Sequence, residues 1–83
     1  MSKNEKLLAK LLNLQMAFTW PELVTLLGGL GYRQIEGAGS RVKFDIGDPS
    51  AMITLHKPNP GNELKYYIRR QIIEQLESGG LIQ

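Results

Sequence analysis

The chain has 83 residues, of which 42% are hydrophobic and 22% are charged. This length allows one small domain, and the composition is that of a folded protein rather than a disordered chain. The absence of cysteine excludes disulfide frameworks, thiolate nucleophiles and cysteine-based zinc sites. A net charge of +2 is too small to establish a nucleic-acid partner by itself.

The first predicted element is a short amphipathic helix over about residues 3–14. Its apolar positions recur at helical spacing and are Leu7, Leu8, Leu11, Leu12 and Leu14. We expect this helix to pack within the chain, although its leucines could instead pair with a second copy or a partner. The charged start lacks the apolar core of a signal peptide, and no stretch has the roughly 20 apolar residues of a membrane span. We therefore expect a cytoplasmic protein without a membrane partner.

A second helix is predicted to start at Thr19, because the residues there form a capping box. Thr19 is the N-cap, Pro21 lies in the first turn, and Glu22 occupies the third helical position. The expected buried stripe consists of Leu23, Leu26, Leu27 and Leu30. Glycines at 28, 29 and 31 predict the end of the helix.

Three short strands are predicted next, at residues 32–36, 41–46 and 51–56, and the last two flank a turn-forming loop at 47–50. Simple hairpin register pairs Ile46 with Ala51, Phe44 with Ile53 and Val42 with Leu55 on the buried side. On the open side it pairs Lys43 with Thr54 and Arg41 with His56. A slip by one residue would expose the apolar side chains, which disfavours other registers.

The last predicted helix covers about residues 63–78 and ends at two glycines. Its inward-facing positions are Tyr67 or Ile68, then Ile72, Ile73 and Leu76. The order of elements indicates an α+β fold, a two-layer α-β-β-β-α arrangement like that of double-stranded-RNA-binding domains, with an extra N-terminal helix. We divide the chain into a helical extension at residues 1–18 and a domain at residues 19–83.

Four segments together resemble the HicA-type toxins. They are a leucine-rich helix that ends in glycine and an aromatic residue (19–32), a glycine-serine hairpin turn with its following strand (37–44), a histidine-proline strand end (55–60) and a final helix (68–76). The resemblance implies an RNA-binding domain, ribonuclease activity on messenger RNA, and neutralisation by a HicB-type antitoxin. Family members usually carry a catalytic histidine directly after the glycine-serine pair or one residue later. Arg41 and Val42 stand there in this chain, so the resemblance leaves enzymatic activity open.

Metal-free RNA cleavage needs a base for the 2′-hydroxyl proton, an acid for the departing oxygen, and positive charge near the phosphorane. The chain has one histidine, His56, which is the candidate base. Arg41, expected across the sheet from it, is the candidate transition-state clamp. The plainer alternative is a histidine that ends a strand and bonds to a nearby loop. Acidic residues are dispersed, so we expect no metal site and no cofactor.

Six of the ten basic residues lie between residues 41 and 70, which indicates where RNA phosphates would bind. The candidate RNA-binding set is Ser40, Arg41, Lys43, Lys57, Lys65, Arg69 and Arg70. Of these, Lys65, Arg69 and Arg70 are expected on one exposed edge of the last helix. Tyr66 and Tyr67 could stack on bases, although one of them is expected to cap the core. The open alternatives are a non-catalytic RNA-binding or regulatory module and a protein-interaction domain.

Overall fold

A computed structural model describes residues 3–58 and 61–82. Its elements, in chain order, are α1 (Lys3–Leu12), α2 (Trp20–Gly29), β1 (Arg33–Glu36), β2 (Arg41–Asp45), β3 (Ile53–His56) and α3 (Tyr66–Ser78). The predicted α+β order of helix, helix, three strands and helix is confirmed. None of the helices in these residues has the length and apolar run needed to cross a bilayer.

The three strands form one antiparallel sheet in the order β1-β2-β3. The predicted register of the second hairpin is confirmed, since Val42 pairs with Leu55 and Phe44 with Ile53. The expected pairing of Ile46 with Ala51 is wrong. A 3-10 turn over Pro49–Ala51 separates the strands there, and Asp48 caps it by accepting from the Ser50 N–H. The hairpin loop is therefore longer than its turn residues suggest.

The helices pack on one face of the sheet and leave the other face uncovered. The buried cluster joins the inner strand residues Val42, Phe44, Ile53 and Leu55 to the helix residues Leu23, Leu26, Leu27, Ile72 and Leu76. The ring of Trp20 lies 5.8 Å from that of Phe44. Of the inward positions expected on α3, Ile72 and Leu76 are buried, whereas Tyr67 is 63% exposed. Of the two alternatives Tyr67 and Ile68, Ile68 is the one that packs against the core.

Helix α3 begins at Tyr66, later than expected from the sequence. The residues before it are extended and pair with the segment that precedes α2. The Trp20 N–H donates to the Asn62 carbonyl oxygen, and the Leu64 N–H donates to the Phe18 carbonyl oxygen. The extended backbone of this short bridge is not helical, so the helix begins only after it, with Lys65 as the N-cap.

The capping residues at the start of α2 also tie it to α1. The Glu22 carboxylate accepts from the Thr19 N–H at 3.0 Å and from the Thr19 hydroxyl at 2.9 Å. Its other oxygen accepts from the Lys10 ammonium, which lies on α1. Hydrogen bonding to Lys10 holds the pKa of Glu22 below its ordinary value. Glycine at 31, with φ of +104°, takes the chain out of the helix.

Helix α1 packs within the chain, as expected, because Leu11 is fully buried in the common core. Its carboxyl end is held by Arg69, which is only 4% exposed. The expectation that Arg69 lies on an exposed edge of the last helix is therefore wrong. Its guanidinium donates to the carbonyl oxygens of Lys10, Leu11, Asn13 and Met16. The last carbonyls of a helix lack intrahelical donors, so a cation there satisfies them and complements the helix dipole.

Burial of Arg69 is accompanied by contact with an aromatic ring. Its guanidinium carbon lies 5.7 Å from the centre of the Phe18 ring. Removal from water lowers the pKa of Arg69, but arginine still keeps its proton in proteins. Within the described residues the Nε–H has no acceptor. The cation is thus compensated by carbonyl oxygens and a ring face, and it is unavailable to an external ligand.

Candidate nucleic-acid interface

The uncovered side of the sheet, which we call the open sheet face, is formed by the outward residues of all three strands. These residues are Arg33, Ile35, Arg41, Lys43, Asp45, Thr54 and His56. Their side chains alternate with the buried ones along each strand, as the pleat requires. The face carries three cationic groups and one carboxylate, and Arg33 stands opposite that carboxylate in the register. Arg41 and Lys43 are therefore its two cations without an acidic cross-strand neighbour.

Arg41 and His56 are direct cross-strand partners, and both side chains are exposed. The Lys57 N–H donates to the Ser40 carbonyl oxygen at 2.9 Å, which makes the next pair along the ladder a hydrogen-bonded one. Arg41 and His56 then form a non-hydrogen-bonded pair, in which the Cα atoms approach to about 4.5 Å. The structure thus places imidazole and guanidinium side by side on the solvent face.

The glycine-serine turn sets the position of both side chains. The residues at 37–40 form a tight turn between β1 and β2, with Gly39 at φ of +65°. A Cβ atom on Gly37 would lie 3.7 Å from Arg41 Cδ, so the arginine stem runs over this glycine towards β1. On the other side, Ser40 Oγ lies 3.4 Å from His56 Nδ1. Among the described residues, Nε2 of His56 has no such partner and is open to a ligand.

Lys57 is turned away from the open sheet face. It follows His56 and alternates to the other side, where its ammonium donates to Glu36 at 2.9 Å. This bond and the nearby positive charge hold the pKa of Glu36 below its ordinary value. Lys57 stays partly exposed, but its charge is shared with a carboxylate. Of the candidate RNA-binding residues, Lys57 is therefore not brought beside Arg41 and His56 on the open sheet face.

The helix residues of the candidate set are dispersed. Lys65 is exposed at the N-cap of α3, near His56. Arg70 is exposed on α3, which packs on the buried side of the sheet, so the structure does not bring it to the open sheet face. Arg69 is sequestered at the end of α1. The residues that are brought together are therefore Ser40, Arg41 and His56, with Lys43 farther along the same face.

A cleft between β3 and the start of α3 was not foreseen from the sequence. Its volume is about 470 Å³, and its walls include His56, Pro58, Lys65 and Tyr67. We call it the β3–α3 cleft. The expectation that one of the two tyrosines caps the core is wrong, since Tyr66 is 59% and Tyr67 63% exposed. Leu64, buried just before the helix, supplies that apolar contact instead.

Comparison with known proteins gives one positive result. The model of a family described as the HicA toxin of bacterial toxin–antitoxin systems matches residues 20–77. This match covers more than half of the chain and includes α2, the whole sheet and nearly all of α3. No curated protein shows a significant match. No solved structure does so either.

Proposed function

Because the chain belongs to the HicA toxin family, we propose that it is a toxin that binds messenger RNA on the open sheet face and cleaves it without a metal. Membership supports a toxin of a toxin–antitoxin system. The proposal of RNA binding and cleavage on the open sheet face rests on the exposed cross-strand pair of Arg41 and His56. The proposed contacts to RNA phosphates are Ser40, Arg41, Lys43 and Lys65. Lys57 and Arg70, which do not lie on the open sheet face, remain predictions from the sequence.

In the proposed reaction, His56 removes the proton from a 2′-hydroxyl group, and the 2′-oxygen attacks the adjacent phosphorus. The bond from phosphorus to the 5′-oxygen breaks, and that oxygen takes a proton from a water molecule, whose hydroxide then receives the proton held by His56. The products are a 2′,3′-cyclic phosphate and a 5′-hydroxyl. Arg41 stabilises the charge on the phosphorane, and Ser40 holds the imidazole through Nδ1.

His56 takes the role of the family's usual histidine, which is absent from positions 41 and 42. Arg41 occupies the position after the glycine-serine pair, and the register puts His56 directly opposite it. An imidazole on β3 can therefore reach the same position above the open sheet face as an imidazole on β2. A HicB-type antitoxin would silence the toxin in the cytoplasm by covering this face.

The direct test is cleavage of a short single-stranded RNA by the purified protein in the presence of EDTA. We expect cyclic-phosphate products, and a loss of rate of about 10²- to 10⁴-fold in His56→Gln. Lys6→Gln, an exposed change on α1, is the control and should cleave normally. Production of the wild type without antitoxin should arrest growth. Undiminished cleavage by His56→Gln would remove His56 from the mechanism.

The second candidate is a non-catalytic RNA-binding module of the same fold, and the arginine at the usual histidine position favours it. This candidate predicts RNA binding that weakens with salt, no cleavage products, and growth that does not depend on His56. Intact RNA after long incubation with a protein that binds it would select this alternative.

A further inference from the structure

One wall of the β3–α3 cleft is formed by β3, at the free edge of the sheet. Among the described residues β3 has a neighbouring strand on one side only, because the strand order is β1-β2-β3. Lys57 bonds to β2 through its N–H, so the alternation of the ladder turns the backbone groups of Thr54 and His56 the other way. Both residues line the cleft. In residues 3–58 and 61–82 no backbone partner meets these edge groups.

The rest of the cleft combines an apolar floor with an exposed aromatic ring. Leu55 and Leu64 are 3% and 5% exposed and form part of the lining. Tyr67 stands at the wall with most of its ring surface in water. A volume of about 470 Å³ lies in the range of small-ligand pockets. An apolar floor, a free ring face and outward N–H and C=O groups suit a planar heterocycle that makes hydrogen bonds along its edge.

The charges around the cleft favour a ligand whose neutral part enters the cleft and whose anionic part stays at the rim. The cation Lys65 lies at its lining, and the cation Arg41 is the cross-strand partner of the lining residue His56. Glu63 also lines the cleft, so a phosphate placed next to it would be repelled. A nucleotide meets both conditions if its base enters and its phosphate stays near the cations.

A peptide strand fits this edge less well than a nucleotide. β3 has only four residues, and just Thr54 and His56 turn their backbone groups outward. Pro58 follows shortly after and has no N–H to donate. An added strand would therefore find a very short ladder, whereas one base needs only one or two edge hydrogen bonds.

We propose that the β3–α3 cleft binds one unpaired base of a single-stranded RNA, stacked on Tyr67 and hydrogen-bonded to the edge of β3. This inference deepens the proposed function and rests on it. The cleft shares His56 with the open sheet face, so a base held there would place its backbone beside Arg41. The cleft then selects single-stranded RNA over duplex RNA, because bases in a duplex are stacked and paired.

The experiment measures the affinity of a 2′-O-methylated hexanucleotide, which resists cleavage, for matched tyrosine variants. Tyr67→Ala should weaken binding on the order of tenfold, and Tyr67→Phe should bind like the wild type. Tyr66→Ala is the control, because Tyr66 is about equally exposed but lines a different pocket, beside Arg69. Thermal unfolding of all three variants should match the wild type, since both tyrosines are exposed.

A second measurement separates the base from the phosphate. In a titration followed by NMR, each of the four nucleoside monophosphates is added in turn, and inorganic phosphate is the comparison. We expect the amides of Thr54 and His56 to shift further with at least one nucleotide than with phosphate, which would reach only the cations beside them. Shifts with phosphate alone would overturn the proposal.

The failure of this inference differs from the failure of the proposed function. If the hexanucleotide binds, and Arg41→Ala weakens it while Tyr67→Ala and Tyr66→Ala behave alike, the cleft assignment is wrong and RNA binding stands. If no binding occurs at low salt, the proposed function fails, and this inference fails with it. If Tyr67→Ala leaves RNA binding intact but weakens the antitoxin complex, the cleft belongs to a protein partner.

Discussion

Arg41 and Arg69 are the same kind of side chain in opposite surroundings. Arg69 is buried among the helices, where carbonyl oxygens and the Phe18 ring compensate its charge. Arg41 lies on the open sheet face, where no described residue gives its guanidinium a hydrogen bond or an ion pair. A cation whose bonding groups are already occupied contributes to stability. A cation with free donors on an uncovered face is available to a phosphate.

The strongest test of this contrast is removal of the buried guanidinium. Arg69→Met keeps a long apolar stem but removes the guanidinium donors from the carbonyl oxygens at and just after the end of α1. Each buried polar group left unpaired costs about 1–3 kcal/mol, so we expect a loss of roughly 3–4 kcal/mol in the free energy of unfolding. Urea denaturation measures it.

The neighbouring Arg70 provides the matched control, because it is exposed on the same helix. Arg70→Met should change the stability by less than about 0.5 kcal/mol. Equal effects of the two substitutions would mean that Arg69 is not the residue that holds α1.

The next test addresses the exposed cations. Arg41→Ala and Lys43→Ala should each weaken RNA binding and reduce the slope of log affinity against log salt by about 0.7, as for one lost phosphate contact on a single strand. The double variant should lose about twice as much slope, with unchanged stability. Lys6→Ala on α1 removes the same charge away from the sheet. A loss of slope in Lys6→Ala as large as in Arg41→Ala would show that only overall charge matters.

A smaller effect is expected where α1 meets α2. Glu22→Gln weakens the bonds to Thr19 and Lys10 and should cost about 1 kcal/mol at pH 7. The pKa of Glu22 is lowered in the folded protein, so its contribution is fully present above the unfolded pKa. The contribution is lost as pH falls through the folded pKa, because the unfolded chain takes up the proton first.

The difference in the free energy of unfolding between the wild type and Glu22→Gln should therefore shrink between pH 5 and pH 3. Urea denaturation at each pH measures it. Glu74→Gln, an exposed change on α3, should show no such dependence. A gap that is constant down to pH 3 would contradict the assigned ion pair.

The sheet could be predicted from the sequence because its pattern is local. Alternation along β2 and β3 determines which residues face inward, and a loop of turn-forming residues sets the register. The start of α2 could also be predicted, because Thr19 and Glu22 form a capping box in the sequence. The pairing of Arg41 with His56 follows from this register alone, which is why its placement was correct.

The burial of Arg69 was missed although the sequence contains a signal for it. Arg69, Ile72 and Leu76 are spaced by three and four residues, which puts the arginine on the inward stripe of α3. Its charge suggested solvent, and only the position of the end of α1 shows what satisfies it. The burial of Phe18 has a similar signal in the sequence. A hydrophobic residue directly before the N-cap often packs against the fourth helical residue, and Phe18 and Leu23 hold these two positions in the same buried cluster.

The β3–α3 cleft and the pairing of Lys57 with Glu36 could not be predicted. Both depend on how distant segments meet once the sheet and α3 have packed. Glu36 and Lys57 belong to the two edges of the sheet region, and no local pattern links them. The cleft lies beside the start of α3, which follows the bridge between the segments before α2 and α3.

The most direct test of the account is an NMR map of backbone amides in the wild type on addition of a non-cleavable single-stranded RNA. We expect the largest shifts at residues 40–43 and 54–57, on the open sheet face and its edge. Amides of α1 and of the α2 residues that pack against it should stay unchanged. Shifts concentrated on α1 and α2, with none in β2 or β3, would contradict the claim that the uncovered side of the sheet binds RNA.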